Sequence, residues 1–415
     1  MSQLRVLISG AGIAGPALAY WLARAGHPTT LVERAPALRA GGQAVDFRGP
    51  VHRAVLEKMG IWDAIHEHRT RAGEFLLVDK QGSVCATLPE SMLSGDVEIL
   101  RGDLCRILYE RTRGKTDYRF GDRITRIEDR GGAIDVEFEH APDETFDIVV
   151  GADGLHSSVR ALAMVDEANV LRPCGYRIAS FATPNLLDRA RGAASFCEPG
   201  RGVVLTATSP KQGRALLVST ADPTGIRHRD SDPVDEKRQV AERFAGMGWR
   251  VPSVLVALES APDLYVDDIA TVHVARYSKG RVVLLGDAAQ GGTLGGQGTS
   301  LAIVGAYVLA HELSQDPSSS DPGPAFARYE NAMRPYAMGC QKGAARAGQF
   351  LAPRTRFGIA ARNFMYGVLT SRPLARTFER LVRSAASDFV LPEYAPDERP
   401  TDPKPAWRIG LRSGG

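Results

Sequence analysis

A glycine-rich turn near the N-terminus is the feature of this sequence that most constrains its fold. Residues 5–9 are a short aliphatic run, and Gly10-Ala11-Gly12-Ile13-Ala14-Gly15 follows at once. Residues 16–25 have the composition of a helix, and residues 29–32 are a second apolar run. A strand, a glycine turn, a helix and a second strand make a parallel βαβ unit. The sequence therefore predicts an α/β fold around a parallel sheet.

The glycines of this turn are spaced as a dinucleotide-binding turn requires. Gly10 allows the tight turn, Gly12 lets the backbone approach a pyrophosphate, and Gly15 lets helix and strand pack closely. The free N–H groups at the start of the helix then face the phosphates. Glu33 ends the second strand, where a carboxylate accepts hydrogen bonds from ribose hydroxyls, and it disfavours a 2′-phosphate even though Arg34 stands beside it. These residues predict a bound dinucleotide.

Two further motifs follow predicted parallel strands. Residues 147–150 lead into Gly151-Ala152-Asp153-Gly154, and the next residues open a helix. Any strand-to-helix turn can use Asp, Gly and Ser in this way, so this motif alone indicates no function. Residues 282–285 lead into Gly286-Asp287, a glycine-rich loop over 291–298 and an apolar helix. Asp287 is thereby placed at the carboxyl end of a parallel strand, where open α/β sheets bind ligands.

The composition is that of a globular protein and excludes several classes. The 415 residues are 44% hydrophobic and 24% charged, with 51 Lys and Arg against 48 Asp and Glu. This length corresponds to two or three folded units at roughly 150 residues each. A net charge of +3 without a dense basic stripe argues against nucleic-acid binding.

Cysteine spacing and hydropathy favour the cytoplasm. The five cysteines are scattered and form no C-x-x-C pair, so neither a metal site nor a disulfide framework is supported. No secretory signal can be separated from the fold at the N-terminus. The most apolar later stretch, residues 300–313, is too short to span a bilayer. We therefore expect a cytoplasmic protein with no metal and no stable membrane association, while the sequence assigns no oligomeric state.

The order of these patterns predicts domains that are discontinuous in sequence. Residues 75–88 alternate like a hairpin, and residues 176–264 are rich in short strands and turns, which is typical of an inserted antiparallel sheet. The predicted units are a Rossmann-like cofactor domain of residues 1–70, 98–170 and 272–324, a substrate-binding sheet domain of residues 71–97 and 171–271, a C-terminal helical cap of residues 325–391, and a surface tail of residues 392–415.

The predicted C-terminal helices are strongly basic. They read as helical to about Arg383, with breaks near Pro353 and Pro373. Between Arg334 and Arg383 there are ten Lys or Arg residues and one acidic residue, Glu379. This pattern favours a solvated helical face over a site for a membrane or an acidic partner.

The three motifs, in this order, resemble those of the FAD-dependent aromatic hydroxylases, the para-hydroxybenzoate hydroxylase family. Within that family the chain is most similar to the compact tetracycline-inactivating and antibiotic-tailoring monooxygenases. The resemblance covers nearly the whole chain, and three ordered motifs are far more specific than any one of them. It implies a Rossmann-like FAD-binding domain, an inserted substrate sheet and a C-terminal helical cap.

The resemblance also assigns the cofactor contacts residue by residue. The glycines of the first motif and Glu33 would hold the ADP half of FAD. Arg101, which leads a helix, would contact the cofactor, and Asp153 would lie near the pyrophosphate. Asp287 would bind the ribitol, and the loop that follows it would lie beside the isoalloxazine. The implied cofactor-binding residues are Gly10, Gly12, Ile13, Ala14, Gly15, Glu33, Arg34, Gly42, Arg101, Asp153, Gly286, Asp287, Gly296, Gly298 and Thr299.

Residues 41–48 match the family's strand that passes the flavin ring. Asp46 and Arg48 on this strand are candidates for direct contact with the flavin or the substrate, and a surface ion pair is the alternative. Gln290 departs from the family pattern, since relatives usually have His at this position and one or more prolines in the loop that follows. An amide can hydrogen-bond flavin or substrate, but it cannot transfer a proton as His does.

The family's chemistry needs few protein side chains as reagents. NAD(P)H reduces the flavin, O2 adds to give a flavin hydroperoxide, and the distal oxygen goes to an activated aromatic or carbonyl carbon. The protein supplies positioning, a dry pocket and charge stabilisation, so no catalytic side chain is assigned. Only one dinucleotide fingerprint is present, so NAD(P)H would bind transiently or a separate reductase would be needed. The resemblance thus implies an FAD-dependent monooxygenase acting on a polycyclic aromatic or polyketide-type small molecule.

Two other functions remain as alternatives at this point. The first is a non-redox cyclase or isomerase that keeps FAD as a structural element, which the unusual loop after Gln290 supports. The second is flavin-dependent halogenation, because Trp249-Arg250-Val251-Pro252 partly matches that family's Trp-x-Trp-x-Ile-Pro motif. The first Trp of the motif is missing, and residues 248–252 read equally well as a turn at the edge of a strand.

Overall fold

Helices and strands alternate over most of the chain. The computed structural model describes residues 3–38, 42–70, 73–90, 95–164, 170–221, 232–292, 298–316, 320–341, 344–371, 391–392 and 394. The strands are β1 (Val6–Ser9), β2 (Thr29–Glu33), β3 (Ala44–Phe47), β4 (Phe75–Val78), β5 (Val84–Leu88), β6 (Val97–Leu100), β7 (Thr116–Phe120), β8 (Ile124–Asp129), β9 (Ile134–Phe138), β10 (Glu144–Phe146), β11 (Ile148–Gly151), β12 (Leu171–Pro184), β13 (Gly192–Glu198), β14 (Arg201–Ala207), β15 (Gln212–Thr220), β16 (Tyr265–Val272), β17 (Ser278–Lys279) and β18 (Val282–Leu284).

The helices lie between these strands and after them. They are α1 (Ala14–Ala25), α2 (Pro50–Lys58), α3 (Trp62–Glu67), α4 (Arg101–Thr112), α5 (Ser158–Ala163), α6 (Pro233–Phe244), α7 (Val251–Ser260), α8 (Asp287–Gln290), α9 (Gly298–Ser314), α10 (Gly323–Gln341), α11 (Ala344–Leu351) and α12 (Arg356–Leu369).

A six-stranded sheet in the order β17-β18-β11-β1-β2-β7 forms the α/β half. All its pairs are parallel except β17 with β18. Every residue of β1, β11 and β18 is buried, as expected for parallel strands covered on both faces. Ser9 pairs with Gly151, and Gly151 pairs with Leu284, so the carboxyl ends of these strands meet at one edge. The predicted α/β fold is confirmed, and the three motifs converge there.

Two small sheets extend this half. The three-stranded sheet β10-β9-β8 has no counterpart in the sequence prediction. β3 pairs antiparallel with β6, which places Asp46 opposite Glu98. This two-stranded sheet continues from the cofactor half toward the second large sheet.

The second large sheet has the order β16-β12-β15-β14-β13-β4-β5. It is antiparallel, as predicted, except that β4 joins β13 in parallel. One face packs on α6 and α7 through an apolar cluster that includes Phe181, Val203 and Leu217. Sequence reasoning did not predict these two helices. The other face carries the alternate residues, such as Val204 and Leu216, and faces the rest of the molecule.

The C-terminal helices α10, α11 and α12 follow the linker around residue 320. The predicted break at Pro353 is confirmed, because it lies between α11 and α12, while Pro335 is accommodated inside α10. Pro373 and most of the predicted tail lie outside the described residues. No helix in the described part of the chain combines the length and the apolar character needed to cross a membrane.

Candidate cofactor and substrate site

The glycine turn after β1 is closed by backbone contacts. Gly10 has a φ of +111°, and a Cβ at this position would lie 2.5 Å from the carbonyl oxygen of Ala152. A Cβ on Gly15 would lie 2.0 Å from the carbonyl oxygen of Gly10. Gly12 is different, since among the described atoms only Nη2 of Arg101 comes within 4 Å of its Cβ position, at 3.7 Å. The turn therefore packs tightly at Gly10 and Gly15 and leaves room at Gly12.

The N-terminus of α1 points into this room. No side chain caps the helix at Ile13, so its first N–H groups have no side-chain acceptor. Ala14 opens the helix and faces the third motif, because a Cβ on Gly286 would lie 3.1 Å from the Cβ of Ala14. Gly286 has a φ of +62°, which favours glycine.

Glu33 ends β2 and binds the turn through both carboxylate oxygens. Oε2 accepts a hydrogen bond from the N–H of Ala11 at 2.8 Å, and Oε1 accepts one from the N–H of Ala35 at 2.9 Å. A carboxylate has about four acceptor positions, so two remain for the hydroxyls of a ribose. Arg34, beside it, is exposed.

Arg101 connects the glycine turn with the flavin strand predicted from the sequence. Its backbone N–H donates to the carbonyl of Gln43 at 3.0 Å. Its side chain runs past Gly42, whose Cβ position lies 3.4 Å from the Cβ of Arg101, and reaches Gly12. The guanidinium therefore brings a positive charge to the rim of the turn.

Asp287 begins α8 directly after β18. Burial raises the pKa of its carboxyl, and the positive charge of Arg101 opposes this rise. A Cβ on Gly298 would lie 3.1 Å from Oδ1 of Asp287, so the start of α9 passes close to the carboxyl. No described residue donates a hydrogen bond to this carboxyl, which leaves it for donors on a ligand. Thr299 is half-buried in the first turn of α9, and Gly296 lies outside the described residues.

The carboxylate of Asp153 is used to cap a helix. Its Oδ2 accepts hydrogen bonds from the N–H groups of Ser158 at 2.8 Å and Val159 at 3.1 Å and from the hydroxyl of Ser158, while the hydroxyl of Ser157 donates to Oδ1. Its Cα is 2.9 Å from the Cβ position of Gly10. The backbone of Asp153 therefore packs against the glycine turn, and its carboxylate is hydrogen-bonded to the start of α5.

Arg160 joins the second and third motifs, and sequence reasoning did not single it out. It is fully buried, and it donates to the carbonyl of Leu155 at 2.7 Å and to the carbonyl of Ala288 at 2.9 Å. It thus ties the loop after β11 to α8. Its position in α5, right after the Asp-Gly-x-x-Ser pattern, is visible in the sequence, but its contact with Ala288 spans 128 residues.

These groups fit FAD in several separate respects. The room at Gly12 and the uncapped N-terminus of α1 suit a pyrophosphate. The remaining acceptor positions of Glu33 suit a ribose, and the carboxyl of Asp287, which has no donor among the described residues, suits the hydroxyls of a ribitol chain.

Comparison with known proteins decides the family. The sequence profile of the family described as FAD binding domain matches residues 3–341. The chain belongs to this family.

Similar proteins agree with this assignment. A flavin-dependent monooxygenase of Legionella longbeachae is 31% identical over 407 residues, which is 94% of this chain and 98% of that protein. The uncharacterized protein Rv1260 of Mycobacterium tuberculosis is 40% identical over 316 residues, 74% of this chain and 84% of that protein. The crystal structure of tetracycline destructase Tet(55) is 31% identical, with a TM-score of 0.78 over 94% of this chain and 99% of that one. The chain is an FAD-dependent monooxygenase, as its resemblance implied.

In this flavoenzyme Asp46 and Arg48 form an ion pair that is largely withdrawn from solvent. Nε of Arg48 lies 2.8 Å from Oδ2 of Asp46, and the two side chains are 31% and 11% exposed. Burial raises the pKa of Asp46, while the bond to Arg48 lowers it. Nδ1 of His52 contacts the carbonyl of Arg48, and its Nε2 lies 2.6 Å from the hydroxyl of Tyr336. The alternative of an ordinary surface ion pair is therefore disfavoured.

Gln290 is buried with its side chain unpaired. It is 1% exposed, and neither Nε2 nor Oε1 has a hydrogen-bond partner among the described residues. Its backbone is fixed, because the side-chain amide of Gln341 donates to the carbonyls of Gln290 and Val272. A buried amide of this kind calls for a ligand or an ordered water.

A cavity of about 520 Å³ lies between the two halves of the enzyme. Leu100 and the flavin-strand residues Gln43 and Ala44 line one wall, and the second sheet lines the other with residues such as Val204 and Leu216. The cavity thus extends from residues 43–44, at the start of β3, to the second large sheet.

The charged groups of the cavity are Glu98 and three arginines, Arg69, Arg191 and Arg214. Burial raises the pKa of Glu98, whose carboxylate accepts a hydrogen bond from the hydroxyl of Thr70. Arg214 binds Asp263 through Nη1 at 2.9 Å, while its buried Nε has no partner among the described residues. Sequence reasoning missed Glu98 and Arg214. The alternation of β6 could have shown that Glu98 faces away from the core, but not what it faces.

Proposed function

We propose that this monooxygenase uses NAD(P)H and O2 to hydroxylate or otherwise oxygenate a polycyclic aromatic or polyketide-type small molecule. The cavity carries this proposal, because about 520 Å³ beside the flavin strand falls in the range that encloses a drug-sized ligand. Its wall combines apolar side chains such as Leu100, Val204 and Leu216 with a larger number of polar and charged ones, which suits a ring system that carries several oxygen atoms.

The residues of the cavity divide the work of holding the substrate. Ala44, Leu100 and Leu216 exclude water and contact the faces of a ring system. Glu98 accepts a hydrogen bond from a hydroxyl on the rim of the substrate. Arg214 on the opposite wall is paired with Asp263, and its buried Nε–H, which has no partner among the described residues, is left to donate a hydrogen bond to an oxygen of the substrate.

The cofactor residues act by binding and orientation. FAD, when bound, would accept a hydride from NAD(P)H and would transfer one oxygen atom from O2 to the substrate. The turn at Gly12 and the N-terminus of α1 hold the pyrophosphate, and Asp287 holds the ribitol. Asp46 and Arg48 present a paired charge beside the ring, and the amide of Gln290 is available to flavin or substrate. The sequence contains a single dinucleotide fingerprint, so NAD(P)H acts as a transient co-substrate.

The described structure does not favour halogenation. Trp249 lies in the turn between α6 and α7, with a φ of +53°, and its backbone N–H donates to the carbonyl of Lys80. It packs 6.2 Å from Phe196 with the apolar cluster that covers the sheet face opposite the cavity. The partial halogenase motif therefore takes part in packing at a distance from the substrate cavity.

A measurement of flavin content and turnover tests the proposal. The purified protein should show the visible spectrum of FAD, and hydroxyanthraquinones should accelerate its oxidation of NADPH or NADH in air. The product should gain one oxygen atom, which labelled O2 should supply. Conversion of the substrate without NAD(P)H and O2 would assign the non-redox cyclase or isomerase instead, and a protein that takes up no FAD would overturn both functions.

A further inference from the structure

The outer face of α12 is apolar, although it faces solvent. Phe357 is 83% exposed, Phe364 76%, Met365 46% and Val368 42%. Their spacing puts them on one side of the helix. Nine large hydrophobic side chains are exposed in the described chain, and four of them lie on this helix. We call these four residues the outer stripe.

The opposite face of α12 is fixed to the enzyme, so the helix cannot simply turn its outer stripe inward. Arg362 is buried and donates to Sγ of Cys197 at 3.1 Å and to the carbonyl of Phe350. Tyr366 packs edge-on against Phe350 at 5.4 Å. The helix therefore has apolar groups on both faces, and such a helix is normally covered on both.

The segment that carries the outer stripe has charges of a single sign. Residues 344–371 contain four arginines, at positions 346, 354, 356 and 362, and no Asp or Glu. None of the four forms an ion pair with a carboxylate among the described residues. Arg354 and Arg356 are exposed directly before Phe357. The surface thus combines exposed aromatic side chains with unneutralised positive charge.

We propose that α12 docks on an anionic membrane surface through its outer stripe, with Arg354 and Arg356 at the lipid headgroups. Exposed Phe and Met on one side, with arginines beside them, are the composition of helices that lie in the bilayer interface. The helix has 14 residues, too few to cross a bilayer, and no helix of the described chain is suited to do so. The contact is therefore interfacial and reversible.

A second copy of the chain fits this surface less well. In a two-fold dimer the same patch meets itself, which would bring two sets of arginines together with no Asp or Glu of residues 344–371 to neutralise them. Anionic lipids neutralise both Arg354 and Arg356 and bury the outer stripe at the same time. The inference is independent of the substrate proposed above, since it uses no residue of the cavity.

Co-sedimentation of the full-length FAD-loaded enzyme with vesicles tests the proposal. The partition coefficient should be about tenfold higher for phosphatidylcholine mixed with phosphatidylglycerol than for phosphatidylcholine alone. Phe357→Ser together with Phe364→Ser should lower it by about tenfold. Arg354→Gln with Arg356→Gln should remove the preference for the anionic lipid and most of the dependence on salt.

The matched control is Val234→Ser with Val256→Ser, which alters two exposed apolar residues on α6 and α7 and should leave the partition unchanged. All variants should keep their FAD absorbance and melting temperature, because the changed side chains are exposed. Equal partition of the wild type to both vesicles, or no effect of the Phe substitutions, would overturn the proposal. A dimer in light scattering that the Phe substitutions dissociate, without vesicle binding, would assign the surface to a second copy.

Discussion

Two carboxyls of the site, Asp287 and Glu98, have pKa values that are raised for the same reason, but the charged and polar groups near them differ. Burial is the largest cause in both. Asp287 faces the positive charge of Arg101 and has no hydrogen-bond donor among the described residues. Glu98 is bonded to Thr70 and lies opposite the negative charge of Asp46. Asp287 can accept hydrogen bonds from hydroxyls of a cofactor, and Glu98 can bind a group in the cavity.

Asp287→Ala should abolish most of the FAD binding. The substitution removes the acceptor that we assign to the ribitol hydroxyls, and loss of such a contact weakens binding by about tenfold or more. The ratio of visible to ultraviolet absorbance after purification measures FAD occupancy. Asp235→Ala, which changes an exposed carboxylate on α6, is the control. Full occupancy in Asp287→Ala would refute the assignment.

Glu98→Gln should alter how stability depends on pH. Because burial raises the pKa of Glu98 in the folded enzyme, its contribution to stability is present below the unfolded pKa and is lost as the pH rises through the folded one. Glutamine has no such loss. The melting temperature of Glu98→Gln relative to the wild type should therefore rise by about 1–3 °C as the pH increases from about 4 to neutrality.

Melting curves of the FAD-loaded proteins across this pH range measure the effect. Glu67→Gln, the same chemical change at an exposed position of α3, is the control. A melting-temperature difference that stays flat or falls with pH would contradict the role of burial at Glu98.

At the scale of the elements, the glycine turn separates folding from cofactor binding. Gly15→Ala places a methyl group on the carbonyl of Gly10, so we expect a loss of stability of about 2 kcal/mol or more. Gly12→Ala has room for its methyl group, so it should keep its melting temperature when the FAD-free proteins are compared. The same methyl group would occupy the space that we assign to the pyrophosphate, so Gly12→Ala should bind FAD at least tenfold more weakly, by about 1.4 kcal/mol.

Thermal melts of the FAD-free proteins and FAD titrations distinguish these two effects. Gly114→Ala is the control, because no atom lies within 4 Å of its Cβ position. Normal FAD affinity in a folded Gly12→Ala variant would show that the pyrophosphate lies elsewhere.

The elements that carry the motifs were predictable from the sequence because their signals are local. The apolar runs before Gly10, Asp153 and Asp287 identify buried parallel strands, and Gly26 ends α1 in the left-handed conformation that a helix C-terminus favours. The rule that open α/β sheets bind ligands at the carboxyl ends of parallel strands placed Asp287 at the site, but it gives no strand order. The resemblance to the family identified the cofactor as FAD.

Long-range contacts were not predictable. The capping of α5 by Asp153 is local, but the sequence could not show that this use withdraws the carboxylate from a ligand. The bond of Arg160 to Ala288 and the position of Glu98 in the cavity depend on how distant segments pack. α6 was not predicted because it has few apolar residues and these are separated by charged ones. The sheet face on which it packs, which includes Phe181, is also remote in sequence.

At the scale of the whole molecule, the cavity lies where the second large sheet faces the two-stranded sheet of β3 and β6. Thr206 on β14 is half-buried and lines the cavity. Thr206→Trp should fill part of that space and raise the dissociation constant of a hydroxyanthraquinone by about tenfold or more. FAD occupancy and melting temperature should change little, because the cofactor lies in the other half.

Ligand titration followed by flavin fluorescence measures this effect. Val256→Trp, on the outer surface of α7 beyond the opposite face of the sheet, should leave ligand affinity unchanged. Unaltered affinity in Thr206→Trp would place the substrate outside the cavity.

The order of strands in the six-stranded sheet also bears on how the cell makes this enzyme. β11 pairs with β1 on one side and β18 on the other, and β18 is translated more than 130 residues after β11. At about 5–20 residues per second, many seconds therefore pass between the synthesis of β11 and that of β18, and during this time the β11 edge of the sheet has no partner strand. Asp287 emerges later still, so FAD cannot guide the early steps of folding. The growing chain must be protected by its own inserted sheet or by chaperones until that last strand arrives.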